Sequence, residues 1–496
     1  MRRGKRSYEE RARRALLDLW SGLPSFGKPL GCVASSYTFD AGHFEEHCLA
    51  RFLAMQTDAN EAAAAYAIER EERMIECPAW VFVDQAHARG TRSLRWNLLP
   101  IGLPGGGIQH AKISVLAWEN AVRVIVASAN LTPDGYRRNQ ECAGVLDFTA
   151  DSGVPRRLLV DAIAFLERLR TFARGYDRPD AGPQANLGKF LLALRRRAEQ
   201  LPEGDDEEVR ADLVPLLPGE RGSIVDRLFA LWDQGGRAPA GKTPPRPDTA
   251  VVLSPFYNEG DDAVKVARTL AAGMARQGER TISFQGPGHL RDTKVLELGI
   301  PESLKRPQEP RTTHEFDWID KRVTVDGATE SRPLHAKSIW LQRDARALYM
   351  IGSSNFTLAG LGLHPRHNIE LNLAYSIKDA GGPFAKLCDS ACPEATEVED
   401  LDTTQFKALA AQSEGAQAAE PMLPAAFGLA LYRRIDGKAV LELEITSDAP
   451  RPFKISSTTG LVLADDAAWK AAGTPSLWTI PCTEPRPPSM LQVESP

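Results

Sequence analysis

Two stretches of the chain nearly repeat each other, and this repetition constrains the fold more than any other feature. HAKISVLAWENAVRVIVASANLTPDGYRRNQECAGVLDF begins at His110, and HAKSIWLQRDARALYMIGSSNFTLAGLGLHPRHNIELNLAYSI begins at His335. His, Ala and Lys coincide, and Asn follows His by 20 residues in both copies, at Asn130 and Asn355. Ser128 matches Ser353, Thr132 matches Thr357, and Gly135 matches Gly360. After four extra residues in the second copy, Asn139 and Glu141 match Asn368 and Glu370. Upstream, VASSYTFDAGHFEEHCLARFL from Val33 resembles VVLSPFYNEGDDAVKVARTLA from Val251. A period this long marks a duplicated structural unit.

Each copy reads as strand, helix, strand, motif strand, strand, loop and strand. Residues 113–117 and 122–127 are apolar and β-branched, with Glu119-Asn120 as the turn between them. Alternating strands and helices imply an α/β layer structure. The expectation is two duplicated α/β lobes related by a pseudo-two-fold axis, with the site between them and a small C-terminal extension. Boundaries are placed at 1–29 (basic arm), 30–180 (first lobe), 181–247 (helical insert and linker), 248–395 (second lobe) and 396–496 (extension). Between the two copies lie helical stretches near 155–174, 186–201 and 224–233, then GGRAPAGKTPPRPDTA, too rich in Gly and Pro for helix or central strand. The extension is read as a helix near 403–412 with strands near 439–445 and 453–457.

At 496 residues, more than one core is needed. Apolar residues make up 43% and charged residues 25%, as in ordinary globular chains. A net charge of -5 argues against a nucleic-acid coat protein, but a local basic groove is compatible with it. MRRGKRSYEERARRALLDLW lacks the apolar core of a secretion signal, and no window is long and apolar enough to span a bilayer. A cytoplasmic location without stable membrane association is the expectation. The seven cysteines are scattered without zinc-like spacing, and His43 and His47, four apart, lack an evident third ligand. No metal and no cofactor is therefore expected.

Residues two apart on a strand share a face, so His110 and Lys112 project together, with Asn130 on the same rim. His335, Lys337 and Asn355 do likewise. Brought together, the two copies hold two imidazoles, two ammonium groups and two carboxamides. Lysines and amide donors can neutralise a phosphate in its transition state. One imidazole can attack phosphorus while the other protonates the leaving oxygen. Glu141 and Glu370 are candidates to fix an imidazole tautomer. Ser128, Thr132, Ser353 and Thr357 either donate to substrate or cap loops. A single His-x-Lys would mean little, but two with equal spacing and matching continuations are not readily explained as strand caps.

This pattern resembles the phospholipase D superfamily, whose usual motif places an Asp after His-x-Lys. Here Ala117 and Gln342 stand where that Asp would fall. The Asp-less form, HAKISVLAWENAVRVIVASANLT, is similar to the tyrosyl-DNA phosphodiesterase branch, and the likeness covers about half the chain, roughly 31–147 and 250–375. The resemblance implies a bilobal α/β fold and metal-independent cleavage of phosphodiesters through a phosphohistidine. Carried over, His110 is the nucleophile and His335 the general acid/base. Lys112, Lys337, Asn130 and Asn355 hold the phosphate. Glu370 is expected to support His110, and Glu141 to support His335, across the lobes.

The favoured substrate is nucleic acid, above all DNA, cleaved by a nuclease or an end-processing enzyme; DNA repair and antiviral defence are roles compatible with that. Arg195-Arg196-Arg197, with Arg168, Arg170 and Arg174 nearby, are candidates for a phosphate track, or else the solvated faces of helices. Arg195 and Arg196 are named as substrate-binding on the first reading. A phospholipase or phosphatidyltransferase is the alternative, and a catalytically idle binding module is a third. The extension is a possible surface for a protein partner.

Overall fold

The computed structural model describes residues 15–57, 62–88, 96–103, 106–173, 182–204, 209–235, 245–291, 295–307, 309–325, 328–409, 426–435, 437–457, 460–482 and 491–495. The first sheet has six strands: β1 (Pro29–Ser36), β2 (Ala79–Asp84), β3 (Asn97–Ile101), β4 (Ile113–Trp118), β5 (Val122–Ala127) and β6 (Ala143–Phe148). Their order is β3-β2-β1-β4-β5-β6. β1, β2 and β3 run parallel, whereas β4, β5 and β6 form an antiparallel meander against β1. Every residue of β2, β4 and β5 is buried. Covered on both faces, these strands read as continuous apolar runs rather than as alternation.

The second sheet holds β7 (Val209–Leu216), β8 (Thr249–Leu253), β9 (Arg280–Arg291), β10 (Val295–Leu298) and β11 (Thr312–Asp320). A small hairpin of β12 (Arg322–Val325) and β13 (Ala328–Ser331) stands apart. β14 (Ser338–Arg343), β15 (Arg346–Gly352), β16 (Glu370–Ile377), β17 (Thr396–Glu397) and β18 (Gln405–Phe406) complete it. The path is β17-β11-β9-β8-β14-β15-β16-β7, with β10 and β18 attached beside β9. Its central six strands, β11-β9-β8-β14-β15-β16, repeat the first sheet in order and direction.

One continuous core joins the two sheets. Val115, Val124, Val126 and Leu146 share it with Tyr349, Ile351, Leu371 and Leu373. At Gly144 the approach is so close that a Cβ would lie 2.5 Å from Leu373 Cδ2. The helices Arg156–Arg170 and Gly182–Ala198 bury one face each in the same core. A second core lies under the helices Ile224–Gly235 and Gly260–Gly273, on the second sheet. A third covers the first sheet with Trp20, Phe44 and Phe52.

The structure departs from the sequence reading in two places. The stretch expected as helical insert and linker contains β7, which pairs antiparallel with β16 and widens the second sheet. Pro215 sits in β7, and proline is tolerated at an edge because the missing N–H need not face a neighbour. The helix expected near 403–412 is absent over its described residues; the chain is extended there, and β18 pairs in parallel with β10. Phe406 docks on Phe316 (5.1 Å between centroids), and that contact overrides local helical preference. Residues 410–412 lie outside the described residues.

The C-terminal part is a separate β unit. β19 (Phe427–Ile435), β20 (Lys438–Ile445) and β23 (Leu477–Pro481) form one three-stranded sheet. β21 (Lys454–Ser457), β22 (Val462–Asp465) and β24 (Leu491–Glu494) form another. Its own core is built on Phe427, Phe453 and Trp469. All seven cysteines are free thiols. Among the described residues no helix is long and apolar enough to cross a membrane.

Candidate active site

His110 and Lys112 lie just before β4, and His335 and Lys337 just before β14. Asn130 and Asn355 follow β5 and β15. The two histidine segments are held by the opposite lobe through backbone bonds. His110 N donates to Ile369 O (2.9 Å), and Ile369 N donates back to Ile108 O (2.9 Å). Reciprocally, His335 N donates to Gln140 O (2.9 Å), and Gln140 N donates to Pro333 O (2.9 Å). Ile369 and Gln140 are the central residues of the two Asn-x-Glu triplets. Each triplet is thereby clamped beside the other copy's histidine.

The clamp delivers the carboxylates. Glu370 lies with Oε2 3.0 Å and Oε1 3.1 Å from His110 Nδ1. Glu141 Oε1 lies 2.7 Å from His335 Nδ1. An ionised carboxylate only accepts, so facing one places a proton on Nδ1 of each ring. Burial alone would raise the Glu141 pKa, but the facing His335 ring, Lys337 and the Ser128 hydroxyl outweigh it. The carboxyl is held below its usual range.

Both glutamates are wired alike. Ser128 Oγ donates to Glu141 Oε2, and Ser353 Oγ donates to Glu370 Oε2. Asn139 Nδ2 donates to Glu141 Oε1 (3.3 Å), and Asn368 Nδ2 donates to Glu370 Oε1 (3.0 Å). Both serines are fully buried. Ser128 and Ser353, expected as substrate contacts, therefore face the carboxylates. For Thr132 and Thr357 the structure shows the loop-capping alternative: their Oγ1 atoms accept from Gly135 N (3.2 Å) and Gly360 N (3.0 Å), closing the turn after each asparagine. The motif glycines are required there. A Cβ on Gly135 would lie 2.3 Å from Asn130 O, and one on Gly360 2.6 Å from Asn355 O.

The lysines fold back onto their own motifs. Lys112 Nζ donates to His110 O (2.9 Å) and stands over the Tyr37 ring at 5.8 Å. Lys337 Nζ donates to His335 O (2.8 Å) and lies 3.0 Å from His335 Nε2. Asn130 Oδ1 accepts from Tyr37 N (3.2 Å) and Thr38 N (3.4 Å), which commits the carbonyl end of the amide to the loop. The buried Asn355 Oδ1 has no partner among the described residues. Such a group is expensive to leave unpaired and favours an incoming donor.

Sequence reasoning gave no role to several residues that hold this frame. Ser36 Oγ accepts from Leu131 N (2.8 Å) and Ser254 Oγ accepts from Phe356 N (3.1 Å), so equivalent serines anchor both asparagine loops. Their alignment in the upstream repeat was the available signal. Asp84 accepts from Gln109 N (2.9 Å), tying down the segment before His110; burial raises its pKa. Tyr37 packs 5.4 Å from the His110 ring, and Phe256 packs 6.3 Å from the His335 ring.

The arginine run lies elsewhere. Arg195 pairs with Glu167 (2.6 Å), and Arg197 donates to the carbonyls of Trp118 and Glu119 (2.6 Å to the latter). Trp118 ends β4, whose other end carries Lys112, so about 20 Å of strand separates them. Arg196 is exposed on the same helix turn. Arg195 and Arg196 thus sit at the far end of the sheet from the histidines. Arg174 lies outside the described residues.

A cleft of about 1420 Å³ opens over the site, lined from both lobes by Asn130, His335, Phe256, Thr132 and others. His110, Lys112 and Lys337 lie buried beneath its floor, each at most 2% exposed. Fold and site together define a class: a protein of two matching α/β sheets, each bearing a His-x-Lys…Asn motif, with crossed Glu–His pairs between them. In this constellation the chain resembles the phospholipase D superfamily.

No protein-family model matches the chain, and no curated protein does. Similar solved structures include yeast tyrosyl-DNA phosphodiesterase, at 10% identity and a TM-score of 0.45, over 73% of this chain and 84% of that one. Phosphatidylserine synthase of Haemophilus influenzae Rd KW20 matches at 10% identity and a TM-score of 0.38, over 79% and 85%. Polyphosphate kinase of Porphyromonas gingivalis matches at 11% and 0.35, over 82% of this chain and 49% of that one. None of these likenesses carries the functional reading, which rests on the side chains.

Proposed function

We propose that the chain is a phosphodiesterase acting on nucleic acid through a phosphohistidine, with its two lobes a duplicated pair related by a pseudo-two-fold axis. The observation that carries this is the reciprocal pairing of His110 with Glu370 and of His335 with Glu141, with a lysine two residues after each histidine. Each imidazole is held at Nδ1 by a carboxylate from the other copy, which orients the ring as a nucleophile and an acid/base require.

In the first step His110 Nε2 attacks phosphorus, and the bond to the leaving oxygen breaks as His335 supplies its proton. In the second step His335 takes a proton from water, whose oxygen attacks phosphorus and breaks the P–N bond. Lys112 and Lys337, with the amide groups of Asn130 and Asn355, balance the charge on the phosphate oxygens. A phosphate between the rings accepts from Lys337 in place of His335 Nε2, which allows that nitrogen to hold the transferable proton. The positive charge needed for this chemistry is supplied by side chains, so activity is expected to be metal-independent.

The test is cleavage of bis(p-nitrophenyl) phosphate and of single-stranded DNA in EDTA, with His110→Ala and His335→Asn beside the wild type. Activity should survive EDTA and vanish in His110→Ala. A covalent adduct should accumulate in His335→Asn, visible on a denaturing gel. An adduct formed by His110→Ala instead, or a strict need for an added divalent ion, would overturn the mechanism.

A further inference from the structure

The chain leaving the second sheet forms part of the cleft wall. Gln405 and Phe406 pair with Glu297 and Leu298, and Lys407 N donates to Leu298 O (2.9 Å). Alternate side chains of an extended chain point to opposite faces. The inward set is Phe406, packed on Phe316 and covered by Lys305 (4.4 Å to its ring), and the buried Ala408. The outward set is Gln405, Lys407 and Leu409, all exposed and all lining the cleft that contains His335. The two inward anchors fix the register, since a slip of one residue would bury Lys407 and expose Phe406.

The charges of the cleft single out this wall. Arg138 is paired with Asp134 (3.1 Å), and His289 with Glu297 (3.1 Å). Asp40 accepts from His43 N (2.6 Å). Lys321, at the end of β11, lines the same cleft; its neighbour Asp320 is taken by Arg322 (2.7 Å). Lys407 has no ion-pair partner among the described residues. Two ammonium groups thus face the cleft from its wall, apart from the buried pair Lys112 and Lys337. A glycerophospholipid diester offers only the phosphate that reacts. A polynucleotide offers others along its backbone, and only there would wall cations find partners.

Resting on the proposed phosphodiesterase activity, we infer that residues 405–409 are a strap forming the substrate wall, where Lys407, with Lys321, receives a non-scissile phosphate of single-stranded nucleic acid. The strap thereby makes the start of the C-terminal region part of the binding site. Gln405 is placed to bond the sugar-phosphate edge, and Leu409 to contact a base face.

The test compares full-length wild type with Lys407→Glu and Lys407→Arg on a short single-stranded DNA, on bis(p-nitrophenyl) phosphate and on phosphatidylcholine vesicles, across a salt series. Lys407 is exposed, so the fold should tolerate both changes. For Lys407→Glu, the ratio of kcat/KM on DNA to that on the aryl diester should fall about 10-fold. The slope of log kcat/KM against log salt should flatten by about one phosphate contact. Lys407→Arg should keep both. An unchanged ratio and slope in Lys407→Glu would overturn the strap. Wild-type turnover of aryl diester or vesicles without DNA would also overturn it, leaving the histidine chemistry standing. No turnover of any substrate would overturn the phosphodiesterase reading, and the strap with it.

Discussion

His110 Nδ1 and Glu370 Oε2 lie 3.0 Å apart although 260 residues separate them in the chain. The same relation recurs between His335 and Glu141, 194 residues apart. Neither lobe alone orients its histidine, so the site exists only when the two sheets are docked.

Replacing Glu370 should therefore disable His110, the proposed nucleophile, without unfolding the chain. Glu370→Gln keeps the volume but lets the amide donate to Nδ1, favouring the wrong tautomer. We expect kcat to fall about 10²–10⁴-fold, by analogy with carboxylates that hold catalytic histidines. Single-turnover kinetics check this; a loss smaller than about 3-fold would show that Glu370 does not set the tautomer.

Ser353 should act through Glu370. For Ser353→Ala we expect kcat to drop roughly 10-fold with KM little changed, as for other supports behind a site residue. A raised KM with kcat intact would restore the substrate contact expected from sequence.

The motif glycines predict a stability effect. Gly135→Ala places a methyl 2.3 Å from Asn130 O, and backbone cannot yield as a side-chain tip would. The loss should be on the order of 1–3 kcal/mol, typical of overpacking, and read by denaturant titration. Gly360→Ala should behave the same way. Wild-type stability in both would show that the asparagine loops can shift.

The double variant Arg195→Ala, Arg196→Ala should leave the salt dependence of DNA cleavage as it is, because its charges sit at the far end of β4. A flattened slope would bring that helix back into the binding surface.

His43 predicts the acid limb of stability. Its ring is buried with both nitrogens unbonded among the described residues, beside His47 and Tyr136 and near Asp40, Arg51 and Arg137. Burial first, then His47, lowers its pKa from 6.5 to about 4. Between those values the unfolded chain holds a proton that the folded chain does not, so stability falls as pH drops from about 6.5 towards 4. Each unit contributes at most about 1.4 kcal/mol. His43→Asn should flatten that slope in a pH series of denaturation curves; an unaltered slope would assign the titration to another group.

Much of the candidate site is legible in the sequence because its spacing is local. His110 and Lys112 share a face through strand alternation, and Asn130 follows because a hairpin returns to the same rim; the second copy repeats both. The missed parts were those that depend on a distant partner. Nothing in VRADLVPL announces an edge strand until β16 is beside it. Residues 403–409 are extended only because Phe406 finds Phe316 and β10 offers a free edge. The hydroxyls of Ser128 and Ser353 suit substrate or carboxylate equally, and burial against Glu141 and Glu370 decided for the carboxylate. Arg195 was charged and nearby in sequence, yet helix packing turned it to Glu167.

Taken alone, the sequence determined which groups are candidates for the chemistry and that they come twice, since residue identity and strand periodicity act over a few positions. Tertiary structure decided which glutamate serves which histidine, which polar groups face the cleft and which stand behind it. Those choices depend on how two apolar sheet faces pack together, and close packing over so many residues cannot be read from any one of them.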